Sequence, residues 1–438
     1  MPGHVHIVGG GLAGLSAAVE LAGGSERVSV YEAGPACGGR ARSYLDRQLG
    51  CRIDNGNHLL LSGNPAVYRY LGLIGAQDTL VGPKRPVFPF VDLADRLRWT
   101  LDLSRGRVPL WVLSKRRRVP GMRLAELRGL LALMEATPDM VVSDCLQPGS
   151  LARRLLEPFA ISVLNTMPDT GSAALLGAVV KESLARGGRN CLPRFPAVGL
   201  SESFVDPALD HLSVLKAEVR TGSRVSAVEM ADGGVAALHV GDERIALGPN
   251  DTVIMAVPAP VAASLLAGDL PGFSAPDEFE SILNVHFLLP DAPVLTGGLA
   301  QARFIGVVGG ISEWVFVKDR ILSVTVSAAN RYATRDLDEL AAIIWNEVRA
   351  AIDPAATAPL PVAMPPLRIV REKRATFAAT VQQDRLRPAT RTMAPNLLLA
   401  GDWTATGLPA TIEGAIRSGA AAAQAVHARR NTPGRPEQ

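Results

Sequence analysis

The chain opens on a pattern that few folds can accommodate. His4–Val8 reads His-Val-His-Ile-Val, a short apolar run suited to a buried strand, and it leads directly into Gly9-Gly10-Gly11-Leu12-Ala13-Gly14. Residues 15–21 form helix readily, residues 28–31 make a second apolar strand, and Glu32 closes it. Strand, Gly-x-Gly-x-x-Gly, helix, strand, acid is the order of a βαβ unit that cradles a dinucleotide. Gly9 permits the tight turn, Gly11 lets the backbone approach a pyrophosphate, and Gly14 lets the helix lie against the strand. The helix N-terminus then offers free N–H groups to the phosphates. Glu32 stands 18 residues past Gly14, placed to accept hydrogen bonds from ribose hydroxyls. With 42 glycines in 438 residues the glycine spacing alone occurs by chance, and an ordinary glycine-rich turn is the alternative. The flanking strands and the acid carry the reading.

Two further segments bear on which dinucleotide is bound. Gly38-Gly39-Arg40 follows Glu32 by six residues, and Asp54-Asn55-Gly56-Asn57-His58 comes soon after. A nicotinamide has no evident need of a second glycine pair there, whereas an extended FAD does, since its ribityl chain and ring run past this loop. Arg40 can also neutralise phosphate charge. Near the other end, residues 396–400 make a buried strand that stops at Gly401-Asp402. A helix is expected from about Thr411-Ile412 to His427, with Ile412, Ala415, Ile416, Gly419, Ala423 and Val426 in one apolar stripe and Thr411 as N-cap. Asp402 at the strand end suits a ribityl hydroxyl. The helix start suits negative charge developing on a reduced flavin.

Composition removes other classes. The 45 Lys plus Arg against 42 Asp plus Glu and the 5% aromatic content give no case for nucleic-acid binding. Cys37, Cys51, Cys145 and Cys191 form no close pair, so neither a metal site nor a redox disulfide is expected, and a reducing compartment is. No apolar run reaches the length of a membrane span, and no basic leader precedes the glycine motif, so a cytoplasmic location is expected.

Taken together, these motifs resemble the FAD-dependent amine oxidoreductase superfamily, which includes monoamine oxidases and carotenoid desaturases. Within it, residues 54–64, Leu164-Asn165-Thr166-Met167-Pro168, Asp206-Pro207-Ala208, residues 371–377 and residues 401–414 resemble the squalene-forming hydroxysqualene dehydroxylases of hopanoid synthesis. Met167 departs from the proline expected there. The resemblance implies a Rossmann-like α/β FAD-binding domain of the glutathione-reductase type, with a second α+β substrate domain. The FAD contacts it implies, together with those read from the motifs, are Gly9, Gly11, Leu12, Ala13, Gly14, Glu32, Gly39, Arg40, Gly56, Asn57, His58, Val225, Gly401, Asp402, Thr411 and Ile412. No metal is implied, and NADPH is the outside reductant implied by resemblance.

The FAD domain is expected to be discontinuous, spanning 1–75, 195–268 and 390–430, with 76–194 and 269–389 forming the second domain and 431–438 a tail. Hairpins are expected around 231–234 and between residues 313–318 and 321–327. An amphipathic helix is expected from Leu337 to Ile352, with Asp336 and Glu339 spaced as a capping pair. Residues 110–136 combine Trp111, the basic run 115–118 and a stripe of Leu124, Leu127, Leu131 and Met134. These are the ingredients of a peripheral contact with the inner face of a membrane, or of a solvated basic loop beside a core helix. The reaction implied is reductive removal of the hydroxyl of hydroxysqualene: protonation, loss of water, and hydride transfer from reduced FAD. His58 is the candidate proton donor, with backbone or flavin bonding as its alternative role. A carotenoid desaturase is the nearest rival. An amine oxidase is weakened because no cysteine follows Cys191 and no tyrosine follows Tyr332. A lipid-binding relative without flavin is the rival from outside enzymology.

Overall fold

The computed structural model describes residues 3–266 and 268–430; the tail expected at 431–438 lies outside them. His4–Val8 is central in a five-stranded sheet, flanked by Arg27–Tyr31 and Thr252–Met255, with Glu218–Arg220 and Leu397–Leu399 at the edges. All pairings are parallel, so the carboxyl ends of the strands meet at one edge, where α/β sheets bind ligands. Helix Leu12–Leu21 leaves this edge and packs on the C-terminal helix Ile412–Arg430. The two helices cross at Gly419, where a Cβ would stand 2.1 Å from the Ala13 carbonyl oxygen, and Ser16 Oγ donates to Ile416 O at 2.9 Å. Ile416, Ala423 and Val426 are fully buried there, as the stripe requires.

A second, seven-stranded sheet stands beside the first. In order it contains Leu367–Phe377, Phe279–Leu288, Ile321–Val326, Trp314–Lys318, Phe304–Val308, Val87–Asp92 and Leu97–Asp102. Helix Leu337–Ile352 covers one face through Leu340, Ile344, Trp345 and Val348. Asp336 caps it, accepting from the N–H groups of Asp338 and Glu339, but Glu339 does not complete a capping pair; its carboxylate pairs with Arg335 at 2.9 Å. The expected hairpins form, as Val225–Ala231 with Gly234–Val240 and as Trp314–Lys318 with Ile321–Val326. Asp232 and Gly233 both have positive φ, the geometry of a tight two-residue turn. A small sheet of Leu60–Leu61, Pro193–Pro196 and Leu80–Val81 crosses the boundary drawn at residue 75.

Residues 108–134 depart from expectation. They form short 3-10 turns at Leu110–Leu113 and Leu124–Leu127 and a helix Arg128–Met134. Trp111 is not at the surface: it is buried, because the turn points its ring inward. Of the expected stripe, Leu124 and Leu131 are exposed while Leu133 and Gly129 face the core. Half of the basic run is also turned inward, with Arg117 Nε donating to Asp102 O at 3.0 Å and Arg118 Nη1 to Val112 O at 2.9 Å.

Candidate active site

The glycine loop shows its logic atom by atom. Gly9 has φ +109°, and a Cβ there would stand 2.5 Å from the Ala256 carbonyl oxygen. At Gly14 a Cβ would meet the Gly9 oxygen at 1.9 Å. Gly11 is different: its backbone is ordinary extended chain, φ −74° and ψ 178°, and a Cβ would meet nothing within 4 Å. The space in front of Gly11 is open and belongs to the cavity. Gly38 and Gly39 lie against this loop, since Gly38 N donates to Gly10 O at 2.8 Å and an added Cβ on Gly39 would approach Gly11 Cα at 3.4 Å. Two glycine turns 27 residues apart thus build one cradle.

Glu32 closes the cradle from the second strand. One carboxylate oxygen accepts from Gly10 N at 2.8 Å and the other from Gly34 N at 2.6 Å, leaving further lone pairs toward the cavity. Val225, at the start of its hairpin, faces the same space. Across the cradle, Arg40 Nη2 donates to Asp402 Oδ1 at 2.7 Å and Nη1 to Ala375 O at 2.6 Å. These two site residues were read separately from the sequence; the fold makes them an ion pair.

The loop after Asp402 is held by a residue that sequence reading missed. Buried Arg387 reaches the carbonyls of Asp402, Thr404 and Leu408 and the Thr406 hydroxyl through Nη2, while Nη1 pairs with Asp384 at 2.9 Å. Only the proximity of arginine to a polar loop, invisible along the chain, could have signalled it. At the end of the loop Thr411 caps the C-terminal helix, its hydroxyl accepting from Gly414 N at 3.0 Å, and Ile412 borders the cavity.

The glycine cradle, Glu32, Val225, Arg40, Asp402, Thr411 and Ile412 line one cavity of about 710 Å³ that continues beyond the cradle across the second sheet. Of the site residues read from the sequence, Gly14 does not line it; its role is the helix–strand contact. The sheet's registers put Asn284 opposite Thr325, Thr325 opposite Trp314, Trp314 opposite Gly306, and Gly306 opposite Phe90. One row therefore runs from polar to aromatic, and Asn284, Thr325, Trp314 and Phe90 all face the cavity. Gly306 makes the aromatic end possible, because any Cβ there would strike the Phe90 ring at 2.4 Å. Past Phe90 the walls are Leu101, Leu103, Trp111, Leu130, Leu155 and Phe159.

At the polar end, Asn57 spends both amide protons on Ser323 Oγ (2.7 Å) and Thr325 Oγ1 (3.1 Å), leaving its buried Oδ1 without a partner. Beside Gly56, Asn284 packs so closely that a Cβ would be 3.1 Å from its Nδ2. His58 has no hydrogen bond to another described residue, and its remaining exposure is to the cavity. Burial holds its imidazole down to about 4, with Lys318 and Arg40 adding to that against Asp54. It is neutral at neutral pH in this state. Asp54 itself is pushed up by burial, yet Lys318 at 2.6 Å, Ser43 and the Leu200 N–H outweigh this and hold it below the ordinary carboxylate range.

The cradle fits FAD: an open Cβ direction at Gly11, a second glycine turn beside it, an acid at the ribose position and an orphaned polar atom farther in. The chain belongs to the flavin containing amine oxidoreductase family, whose model matches residues 12–427. It is 44% identical over 433 residues to hydroxysqualene dehydroxylase of Sinorhizobium fredii, covering 99% of this chain and all of the relative. Against hydroxysqualene dehydroxylase of Zymomonas mobilis it is 43% identical over 419 residues, 95% and 97% of the two chains. A 15-cis-phytoene desaturase of Glycine max is 23% identical, covering 97% of this chain and 79% of that one. Among solved structures, putrescine oxidase bound to putrescine superposes with a TM-score of 0.67 at 14% identity, covering 98% and 99% of the chains. The protein is an FAD-dependent oxidoreductase of this family.

Proposed function

We propose that the protein reduces hydroxysqualene to squalene. The observation that carries this is the polar-to-aromatic row joining the flavin cradle to an apolar chamber, which matches a molecule with one hydroxyl on a long hydrocarbon. Relatedness at 43–44% over nearly the whole chain points the same way, while the desaturase relationship is distant.

FAD, once bound and reduced, supplies the hydride. The remaining work falls to the protein. Asn57, Asn284 and Thr325 hold the hydroxyl end. Trp314, Phe90 and Phe316 line the chamber and stabilise by cation–π contact the allylic cation left when water departs, worth about 0.5–2 kcal/mol for each well-placed ring. Leu101, Leu103 and Leu130 exclude the water that would otherwise capture that cation. The proton reaches the departing hydroxyl from His58, and NADPH is the outside reductant. Anaerobic mixing of reduced holoprotein with hydroxysqualene should reoxidise the flavin and release squalene. Failure of both, or coloured products from phytoene, would overturn the assignment.

The substrate's insolubility bears on location. No helix among the described residues is long and apolar enough to cross a membrane. Yet Val108, Leu110, Leu113, Leu124 and Leu131 are exposed, up to 68% at Leu113, with Arg105, Arg107, Lys115, Arg116, Arg123 and Arg128 exposed among them. The inward side of the same segment, Trp111 and Leu130, lines the apolar end of the chamber. This face suits the anionic inner surface of a bilayer, from which an oily substrate would enter. The holoprotein should float with vesicles containing phosphatidylglycerol and less with pure phosphatidylcholine. Combined Leu110→Ser, Leu113→Ser and Leu131→Ser should abolish flotation; binding unaffected by these changes would refute the surface.

A further inference from the structure

His58 presents a contradiction if it simply donates a proton. A neutral imidazole with no hydrogen bond to another described residue, lining the cavity beside the flavin cradle, is too weak an acid to protonate a hydroxyl at neutral pH. We infer that His58 is protonated by reduction of the flavin, so that the acid is armed only when the hydride is loaded. The inference rests on the proposed reaction and explains how its two charges are delivered together.

Asp54, Lys318 and Arg40 act electrostatically on the ring. Asp54 pairs with Lys318 at 2.6 Å, and Arg40 pairs with Asp402 at 2.7 Å, so each cation near His58 is already matched to an anion. His286, on strand Phe279–Leu288, is held neutral by burial, its Nδ1 bonded to Ser323 Oγ at 2.7 Å. Glu372 lines the same cavity and acts on Arg40, so the pocket holds no spare positive charge beside a ring whose nitrogens have no hydrogen-bond partner among the described residues. A flavin bound in the cradle would, once reduced, add a negative charge that favours the imidazolium. Raising the imidazole from about 4 to near 7 requires a thousand-fold shift in its proton affinity. A unit charge held within contact range of the ring in a partly screened interior would supply an interaction of about that size.

The balance closes. The substrate hydroxyl takes the His58 proton, the C–O bond breaks and water leaves. The cation accepts hydride from the reduced flavin, forming the new C–H bond. Substrate is reduced and flavin oxidised, and His58, having given up its proton, is again in the neutral form that burial favours. The sequence of charges also protects the oxidised enzyme from protonating the substrate before a hydride is present to quench the cation.

The test is nitrogen NMR of holoprotein carrying ¹⁵N-histidine. The chain has seven histidines, and the His58 signals are assigned by their loss in His58→Gln. In oxidised protein at pH 6–7 the His58 ring should be neutral; after anaerobic reduction it should be cationic. A ring that stays neutral in both states, or is cationic in both, overturns the inference. With turnover expressed per bound flavin, His58→Gln should be at least about 100-fold slower than the unaltered protein. His58→Asn serves for assignment and turnover if the glutamine variant folds poorly. The NMR result needs no substrate. Redox-linked protonation without squalene formation would therefore reject the proposed reaction, while squalene formation by a permanently neutral His58 would reject this inference alone.

Discussion

The glycine loop separates two functions that usually fail together, and Gly11→Ala tests the separation. The backbone at Gly11 is extended with φ −74°, which alanine adopts freely, and its Cβ would meet no atom within 4 Å. Stiffening the unfolded chain at a compatible site gains about 0.4–1 kcal/mol, and losing a glycine at the helix N-cap costs a similar amount. The flavin-free protein should therefore unfold within about 1 kcal/mol of wild type. The cofactor meets a different situation, because the new methyl occupies the approach to the pyrophosphate. Overpacking by one carbon costs about 1–3 kcal/mol, which weakens FAD binding about 5- to 150-fold. Flavin-free protein of each variant would be compared by thermal unfolding and by quenching of flavin fluorescence on titration. Gly14→Ala is the control: its Cβ would sit 1.9 Å from the Gly9 oxygen, so it should destabilise the protein with or without flavin. An unchanged FAD affinity in Gly11→Ala would show that the phosphates do not lie where the cradle places them.

Three other outcomes are expected. Glu32→Ala should lower flavin occupancy after purification, measured as the ratio of flavin to protein absorbance. Glu32→Gln should retain more, since one amide oxygen can still accept from Gly10 N. Arg387→Met removes the four bonds its guanidinium makes to residues 402–408 and leaves Asp384 unpaired, and should cost about 3–5 kcal/mol in thermal unfolding together with flavin retention. Arg387→Lys should not restore either, because an ammonium cannot span that set of acceptors. Finally, flavin-free protein should lose stability in mild acid. His6, His58 and His286 are each held down to about 4 by burial, whereas the unfolded chain protonates them near 6.5. Stability is full above about 6.5 and falls as pH drops toward 4, by up to about 1.4 kcal/mol per pH unit for each histidine. Denaturant midpoints that stay flat across this range would refute those burials.

The cofactor side of the site was legible because its chemistry is local. A glycine must be a glycine where φ is +109°, and the acid after the second strand is fixed by the length of one βαβ unit. The second sheet was much less legible. Phe279–Leu288 alternates only from Leu283 to Phe287, and its polar members Asn284 and His286 are buried, so the alternation does not mark a solvent face. Leu367–Phe377 is an edge strand rich in arginine and lysine, whose pairing partner lies far away in sequence. Trp111 was misplaced because a tryptophan beside a basic run reads as a surface anchor, whereas a 3-10 turn rotates it into the chamber.

By itself the sequence determined that a dinucleotide is held at the start of a βαβ unit, since backbone sterics and strand–helix periodicity act over neighbouring residues. Tertiary structure alone decided what surrounds it. Strand register laid Asn284, Thr325, Trp314 and Phe90 in one row, Arg40 found Asp402 across 362 residues, and burial lowers the proton affinity of His58. Each of these depends on distances and solvent exclusion between segments remote along the chain, which a one-dimensional pattern does not encode.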